Sequence, residues 1–347
     1  MLKKQINRYI RVMLYLAAGL IILWLIGRGQ DIDLIWREFR EANYFWIFLA
    51  ALVILLSHIV RALRWNLLIE SMGHPVHTGT TFNALMAGYL SNLAVPRLGE
   101  LTRCLVLSKT SPTSFNALIG TVVAERVFDM LCLLLILFLT VTLQFGFLKD
   151  FLDRVFLIPM LSRGADYWML LLFLGIAGLV VVTGLLLFLH NKLKSPTPDG
   201  FYGKLKRQLA GMKNGIKTIG RMEKKPLFLI YSTAIWILYF FSVYLCFFAI
   251  ASTSHLSVAS GITLLAVGSL GIVAPVPGGI GTYHFLTSIT LTELYGIAAE
   301  PALSYAYIAH ATQTAVIIAA GAIAWVFISL DRKKTENRAH SKPGLNK

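Results

Sequence analysis

Charge is what this sequence has least of. Only 14% of its 347 residues are charged, 56% are hydrophobic, and the mean hydropathy is +0.69. A soluble domain carries about 25% charged residues, so that class is excluded. Acid is scarcer still, with 17 Asp and Glu against 32 Lys and Arg, a formal net charge of +15. Cysteine is nearly absent. Cys104, Cys132 and Cys246 lie far apart in or beside apolar segments, which excludes a disulfide framework and a cysteine zinc site. They read as small core residues. No HxxxH pair, carboxylate cluster, Ser-His-Asp ordering or nucleophile elbow stands out. No metal or cofactor is expected, and the chain is not read as an enzyme.

Apolar runs are abundant instead. Val12 to Ile26, Tyr44 to Val60, Val127 to Phe145, Trp168 to Leu189, Leu227 to Ile250 and Ala302 to Leu330 are the long ones. Each is near or above the roughly 20 residues that span about 30 Å of hydrocarbon. The basic residues flank these runs, which fits a multi-pass protein of the cytoplasmic membrane and no nucleic-acid partner. The N-terminus has basic residues before an apolar run, as signal peptides do. Arg28, Gly29 and Gln30 follow the run instead of a small-residue cleavage site, so an uncleaved first span is expected.

Loop charge orients the spans. The N-tail holds Lys3, Lys4, Arg8 and Arg11 and no acid, whereas Arg28 to Glu41 holds three bases and four acids. By the positive-inside rule the tail is cytoplasmic and that loop external. The second span then returns to the cytoplasm near Arg61 and Arg64. A full crossing by Phe82 to Val95 would put Arg97, Arg103 and Lys109 outside, against the rule. At 14 residues the run is also short. Both objections vanish if residues 82–107 enter and leave from the cytoplasm as a re-entrant hairpin with NLAVPRLGE at its tip. Such backbone is tolerated at membrane depth where protein or a water-filled cavity satisfies it.

Beyond it, Lys149 to Asp166 is neutral, and Lys192 to Lys225 carries ten bases and two acids, a cytoplasmic signal. Ala251 to Glu300 contains no Lys or Arg, and residues 262–291 within it read as a second hairpin, entered from outside. The expected fold is an all-α integral membrane protein with about six full spans, two re-entrant helical hairpins and both termini cytoplasmic. Eight to nine full spans is the alternative.

The two hairpins resemble each other. AGYLSNLAVPRLGE and VGSLGIVAPVPGGIG both have a small-residue approach, then Val-Pro and a glycine turn, about 180 residues apart. The helices after them align weakly, with Glu125 opposite His310. The charge count gives the two units opposite orientation, an inverted repeat of the kind transporters use to build a site near the midplane. The expected division is 1–43, first span and external loop; 44–146, first repeat; 147–225, linking span and basic loop; 226–330, second repeat; and 331–347, basic tail. Within the basic loop, Phe201 to Met222 has apolar residues at helical spacing and reads as an interfacial amphipathic helix.

Ionisable residues at bilayer depth need partners and mark candidate sites. Glu125 and Asp129 are four apart and share a helix face, with Arg126 about 100° away. Their natural partners are the hairpin arginines and Arg61 or Arg64. One reading is a structural network that fastens the hairpin. In the other, Arg97 and Arg103 grip a lipid phosphate while Glu100 and Asp129 balance charge. Pro277, Gly278, Gly279 and Gly281 permit a tight turn with exposed N–H groups. Asn92 and His310 are auxiliary candidates.

RALRWNLLIESMG, AGYLSNLAVPRLGELTR, GTVVAERVFDML and PVPGGIGTYHF together resemble the transmembrane, flippase-like domain of lysylphosphatidylglycerol synthase, over about residues 10 to 330. The resemblance implies translocation or binding of membrane lipids. It argues against lysyl transfer, since the catalytic domain of the bifunctional enzymes has no counterpart in these 347 residues. It also implies a separately encoded lipid-modifying enzyme as partner. Members of that family often carry an acid after the PGGIG turn, where Thr282, Tyr283 and His284 stand here. That departure favours a substrate other than an aminoacyl lipid. A membrane enzyme or accessory subunit acting on a polyprenyl-phosphate- or sugar-linked lipid is the alternative.

Overall fold

The computed structural model describes residues 20–146 and 222–340 except Pro275, together with Met13 and Ala17, and side chains as far as Leu330. The expected span at Trp168 to Leu189 and the amphipathic helix from Phe201 lie outside the described residues. All regular structure among those described is helical. In chain order the α-helices are α1 (Ile32–Glu41), α2 (Tyr44–Glu70), α3 (Thr78–Ala94), α4 (Leu98–Thr110), α5 (Phe115–Leu143), α6 (Lys225–Phe247), α7 (Val258–Val273), α8 (Thr282–Tyr295) and α9 (Ala299–His340). A further helical stretch covers residues 20–27.

Among the described residues, three helices are long and apolar enough to cross a membrane: α2, α6 and the Ala299–Leu330 part of α9. At 1.5 Å per residue, the 27 residues of α2 extend about 40 Å, beyond the roughly 30 Å of hydrocarbon. Their outward surfaces are apolar. Phe48 on α2 and Ile230 on α6 are 63% and 59% exposed, which water would penalise and lipid does not. The segment expected as an external loop contains α1. Its apolar residues Ile32, Ile35, Trp36 and Phe39 follow helical spacing, and the Asp31 carboxylate caps it by accepting from the N–H groups of Asp33 and Leu34.

Helices α2 and α6 lie antiparallel. The Lys224 ammonium contacts the Glu70 carboxylate at 2.6 Å at one end, and Asn43 N–H donates to the Ala249 carbonyl at the other. The arms of the two hairpins are shorter than a span. Helix α3 has 17 residues and α4 has 13, so they extend about 26 and 20 Å; α7 and α8, with 16 and 14, extend about 24 and 21 Å. Glycine lets the arms touch. A Cβ on Gly99 would collide with the Gly88 carbonyl oxygen, and one on Gly271 would lie 2.7 Å from Tyr283 Cα.

Helix α9 reveals how the hairpins are disposed. Its first turns pack beside α8, where Ala299, Leu303 and Thr292 line one cavity. His310 then reaches the second tip, its Nε2 lying 2.8 Å from the Gly278 carbonyl oxygen. Eleven residues on, about 16 Å along the axis, Gly321 packs against Leu90 and Met86 of α3. Ala324 joins the buried cluster at the base of the first hairpin, with Leu85, Leu107 and Leu118. The hairpins therefore point at each other along α9, and the tips meet where Leu93 packs against Gly278. Each hairpin has its own core. Trp65, Leu68, Leu85, Leu107, Leu118 and Phe228 surround the first, and Phe247, Leu264, Leu291, Ala302 and Tyr305 surround the second.

Gly99→Val should break the contact between α3 and α4. Overpacking of this kind costs about 1–3 kcal/mol, read as a lower melting temperature of the detergent-solubilised protein. Gly120→Ala, where nothing lies within 4 Å of the added Cβ, should leave melting unchanged or raise it. Equal melting for the two variants would contradict the close packing.

Candidate functional site

The first tip is built by its proline and an unusual arginine. Val95 precedes Pro96 and is extended, as a residue before proline prefers. Arg97 follows at φ 63°, the one positive-φ residue other than glycine among those described. A side chain there is strained, and such outliers gather at functional positions. Arg97 does not cap α4. The Asn92 side-chain oxygen takes that role, accepting from Gly99 N–H at 2.6 Å. Arg97 itself is exposed, and none of the ion pairs among the described residues involves it.

Behind the tip, Arg61, Arg64, Arg103, Glu125 and Asp129 come together from α2, α4 and α5. Asp129 accepts from Arg61 Nη2 at 3.0 Å and from Arg64 Nη1 at 2.7 Å. Glu125 accepts from Arg103 Nη2 at 2.7 Å and lies 3.6 Å from Arg64 Nη2. All five residues are buried. The spacing explains the sharing: Arg61 and Arg64 are one turn apart on α2, and Glu125 and Asp129 one turn apart on α5. Glu100 pairs with Arg126 at 2.9 Å nearer the surface, where such a bridge contributes about 0–1 kcal/mol.

Neutral groups complete the cluster. The Tyr89 hydroxyl accepts from Arg61 Nη1 at 2.8 Å, and Ser232 Oγ from Arg64 Nη1 at 3.2 Å. The Arg103 guanidinium lies 4.4 Å from the centroid of the Trp65 ring, whose Nε1–H donates to Thr121 Oγ1. Tyr239 and Phe228 present ring faces to Arg61 and Arg64. With Arg97 and Arg126 counted, five arginines face three carboxylates at this hairpin. Arginine excess at this depth suits an anion, phosphate above all, because the guanidinium fork matches its oxygens.

The second tip is different in kind. Gly278, Gly279 and Gly281 have φ of 59°, 76° and 84°, conformations that only glycine adopts easily. Pro277 is buried, and Thr282 Oγ1 donates to the Gly271 and Gly279 carbonyls. His310, which the repeat sets opposite Glu125, faces His284 across 4.7 Å between ring centroids. Sequence reading marked Arg61, Arg64 and His310, but missed the supporting rings and hydroxyls and the pairing of His284 with His310. An aromatic has no partner-specific signature in sequence. The one available signal was two histidines in a stretch without Lys or Arg.

Two opposed helical hairpins braced by long apolar helices, with a buried ionic cluster behind one tip, define an all-helical integral membrane protein. The chain belongs to the family described as the lysylphosphatidylglycerol synthase TM region, whose model matches residues 12–321. It is 24% identical over 314 residues to a UPF0104 membrane protein of Pyrococcus horikoshii, covering 86% of this chain and 90% of that protein. It is 23% identical over 270 residues to a UPF0104 membrane protein of Methanothermobacter thermautotrophicus, covering 75% and 78%. No solved structure matches the chain.

Glu125→Leu should destabilise the protein by about 3–5 kcal/mol, because Arg103 and Arg64 would stay buried without their counter-charge. Adding Arg103→Met should recover much of the loss. Thermal unfolding in detergent measures both, and equal melting of the single variant and wild type would contradict a buried, coupled network.

Proposed function

We propose that the chain is a lipid translocase of the cytoplasmic membrane that carries an anionic phospholipid or lipid-linked headgroup between leaflets. The lipid phosphate meets Arg97 where the hairpin tips touch. The observation that carries this reading is the arginine excess around the first hairpin, five against three carboxylates, with Arg97 exposed at its tip beside the glycine-rich second tip. Arg103, Glu125, Asp129, Arg61 and Arg64 hold the hairpin in place and set the positive potential. Glu100 and Arg126 flank the path.

Opposed hairpins suit this task. Each half contributes a helix, a hairpin and a helix (α2 to α5, and α6 to α9), and a site between tips can open to either side in turn. The loop charges support entry of the first hairpin from the cytoplasm and of the second from outside. The family supports a lipid-related role.

The strained backbone at Arg97 provides a selective test. Arg97→Gly removes the guanidinium and relaxes φ, so melting should stay unchanged or rise. Translocation of fluorescent phosphatidylglycerol in proteoliposomes of total bacterial polar lipid should fall roughly ten- to hundredfold, the range expected for a lost charged hydrogen bond. Arg97→Lys should retain part of the activity. Full transport by Arg97→Gly would sink the site.

Orientation is tested separately with single cysteines at two exposed positions, Thr110 at the base of the first hairpin and Ser254 before the second. In intact cells a membrane-impermeant maleimide should label Ser254→Cys and spare Thr110→Cys. Labelling of both from one side would exclude opposed entry.

A further inference from the structure

The second tip holds two buried histidines that the translocation path does not use. His284 on α8 and His310 on α9 are 4% and 8% exposed, and their ring centroids are 4.7 Å apart. Tyr283 faces His310 at 5.3 Å and Tyr307 faces His284 at 4.8 Å. Both imidazoles bind the turn itself. His310 Nε2 lies 2.8 Å from the Gly278 carbonyl, and His284 Nδ1 accepts a long hydrogen bond, 3.4 Å, from Gly281 N–H.

These contacts assign the tautomers. A carbonyl only accepts, so His310 carries a proton on Nε2, and its Nδ1 is the basic atom in the neutral ring. His284 accepts at Nδ1, so its own proton sits on Nε2. An added proton on His310 Nδ1 leaves the Gly278 bond intact and makes it charge-assisted. An added proton on His284 Nδ1 displaces Gly281 N–H and uncaps the start of α8. Two cations at this separation repel strongly, so the pair can take at most one extra proton.

The surroundings leave the proton to the pair. Helix α7 carries no ionisable residue. From α6, Cys246 lies in the same buried cluster as Tyr283. From α1, Phe39 approaches Tyr307, with Glu38 and Arg40 as its chain neighbours. From α3, Leu93 touches Gly278, with Arg97 four residues further along the chain. Neither histidine forms an ion pair among the described residues.

We propose that His284 and His310 form the proton site that couples lipid movement to proton movement across the membrane. The proposal rests on the translocase reading and supplies its driving ion. Protonation puts positive charge on a tip that otherwise has none, and passage of the proton from His310 to His284 releases the turn at Gly281. Since the tips touch at Leu93 and Gly278, loading one tip alters its fit against the other.

The variants His310→Gln and His284→Asn keep a donor for Gly278 and an acceptor for Gly281 but cannot take the proton. Two measurements apply to the full chain. The first is hydrogen exchange of the segment 274–284 in lipid nanodiscs at about pH 5.5 and about pH 7.5, either side of the usual histidine range, corrected for intrinsic pH dependence. Wild type should differ severalfold between the two, and the double variant should not. A segment insensitive to pH in wild type, or equally sensitive in the double variant, overturns the proposal. The second follows fluorescent phosphatidylglycerol and luminal pH together in proteoliposomes with an imposed pH gradient. The gradient should speed lipid movement several-fold in wild type, with proton entry, and leave the double variant unaffected. Lipid movement indifferent to the gradient overturns coupling and leaves the translocase reading standing. No lipid movement under either condition overturns both.

Discussion

Three arginines and two carboxylates buried in an otherwise apolar bundle form the constraint on which the first half depends. A lone charge at this depth is expensive, and each group here is tolerated because it shares a partner. Asp129 serves two arginines of α2, while Glu125 serves one from α2 and one from the hairpin. The charges therefore fix which face of α5 meets α2 and how deeply α4 inserts. Apolar contacts alone define such registers poorly, since one leucine packs much like another. The ion pairs contribute less to net stability than their short distances suggest, because their desolvation opposes it. Their contribution is to select one arrangement.

The hairpins answer a second constraint, the need to satisfy backbone groups away from water. Arms of about 20–26 Å fall short of the roughly 30 Å of hydrocarbon, and each hairpin ends in a turn packed against the tip of the other. The first turn is closed by the Asn92 side chain against Gly99, the second by His284, His310 and Thr282 against Gly281, Gly278 and Gly271. Glycines at the arm contacts bring the helices close enough for the turns to be narrow. The tips meet along α9, at the level where it passes from one hairpin to the other.

The two halves share an outline and differ in chemistry. The first tip is cationic and braced by ion pairs; the second is uncharged and braced by imidazoles and tyrosines. Glu125 in one half and His310 in the other hold comparable places on the helix after the hairpin. In the first half that residue secures an arginine, and in the second it binds the turn directly.

Much of this was legible in the residues themselves. Composition and the apolar runs determined an all-helical membrane protein, because hydrocarbon admits few alternatives. Short apolar runs broken by Val-Pro and glycine marked both hairpins, and the i, i+4 spacing of Glu125 and Asp129 marked that they would share a face. The loop segment at Arg28 to Glu41 concealed α1, whose apolar stripe is short and interrupted by charge. Only the tertiary structure decided that Arg103 is committed to Glu125 and Trp65 while Arg97, six residues away, stays exposed. It also decided that the tips face each other, and that His284 meets His310. Sequence spacing reports neighbours on one helix, because the helical period is fixed. Which helix lies opposite depends on packing among many chemically similar surfaces, and that is settled only when the whole chain is folded.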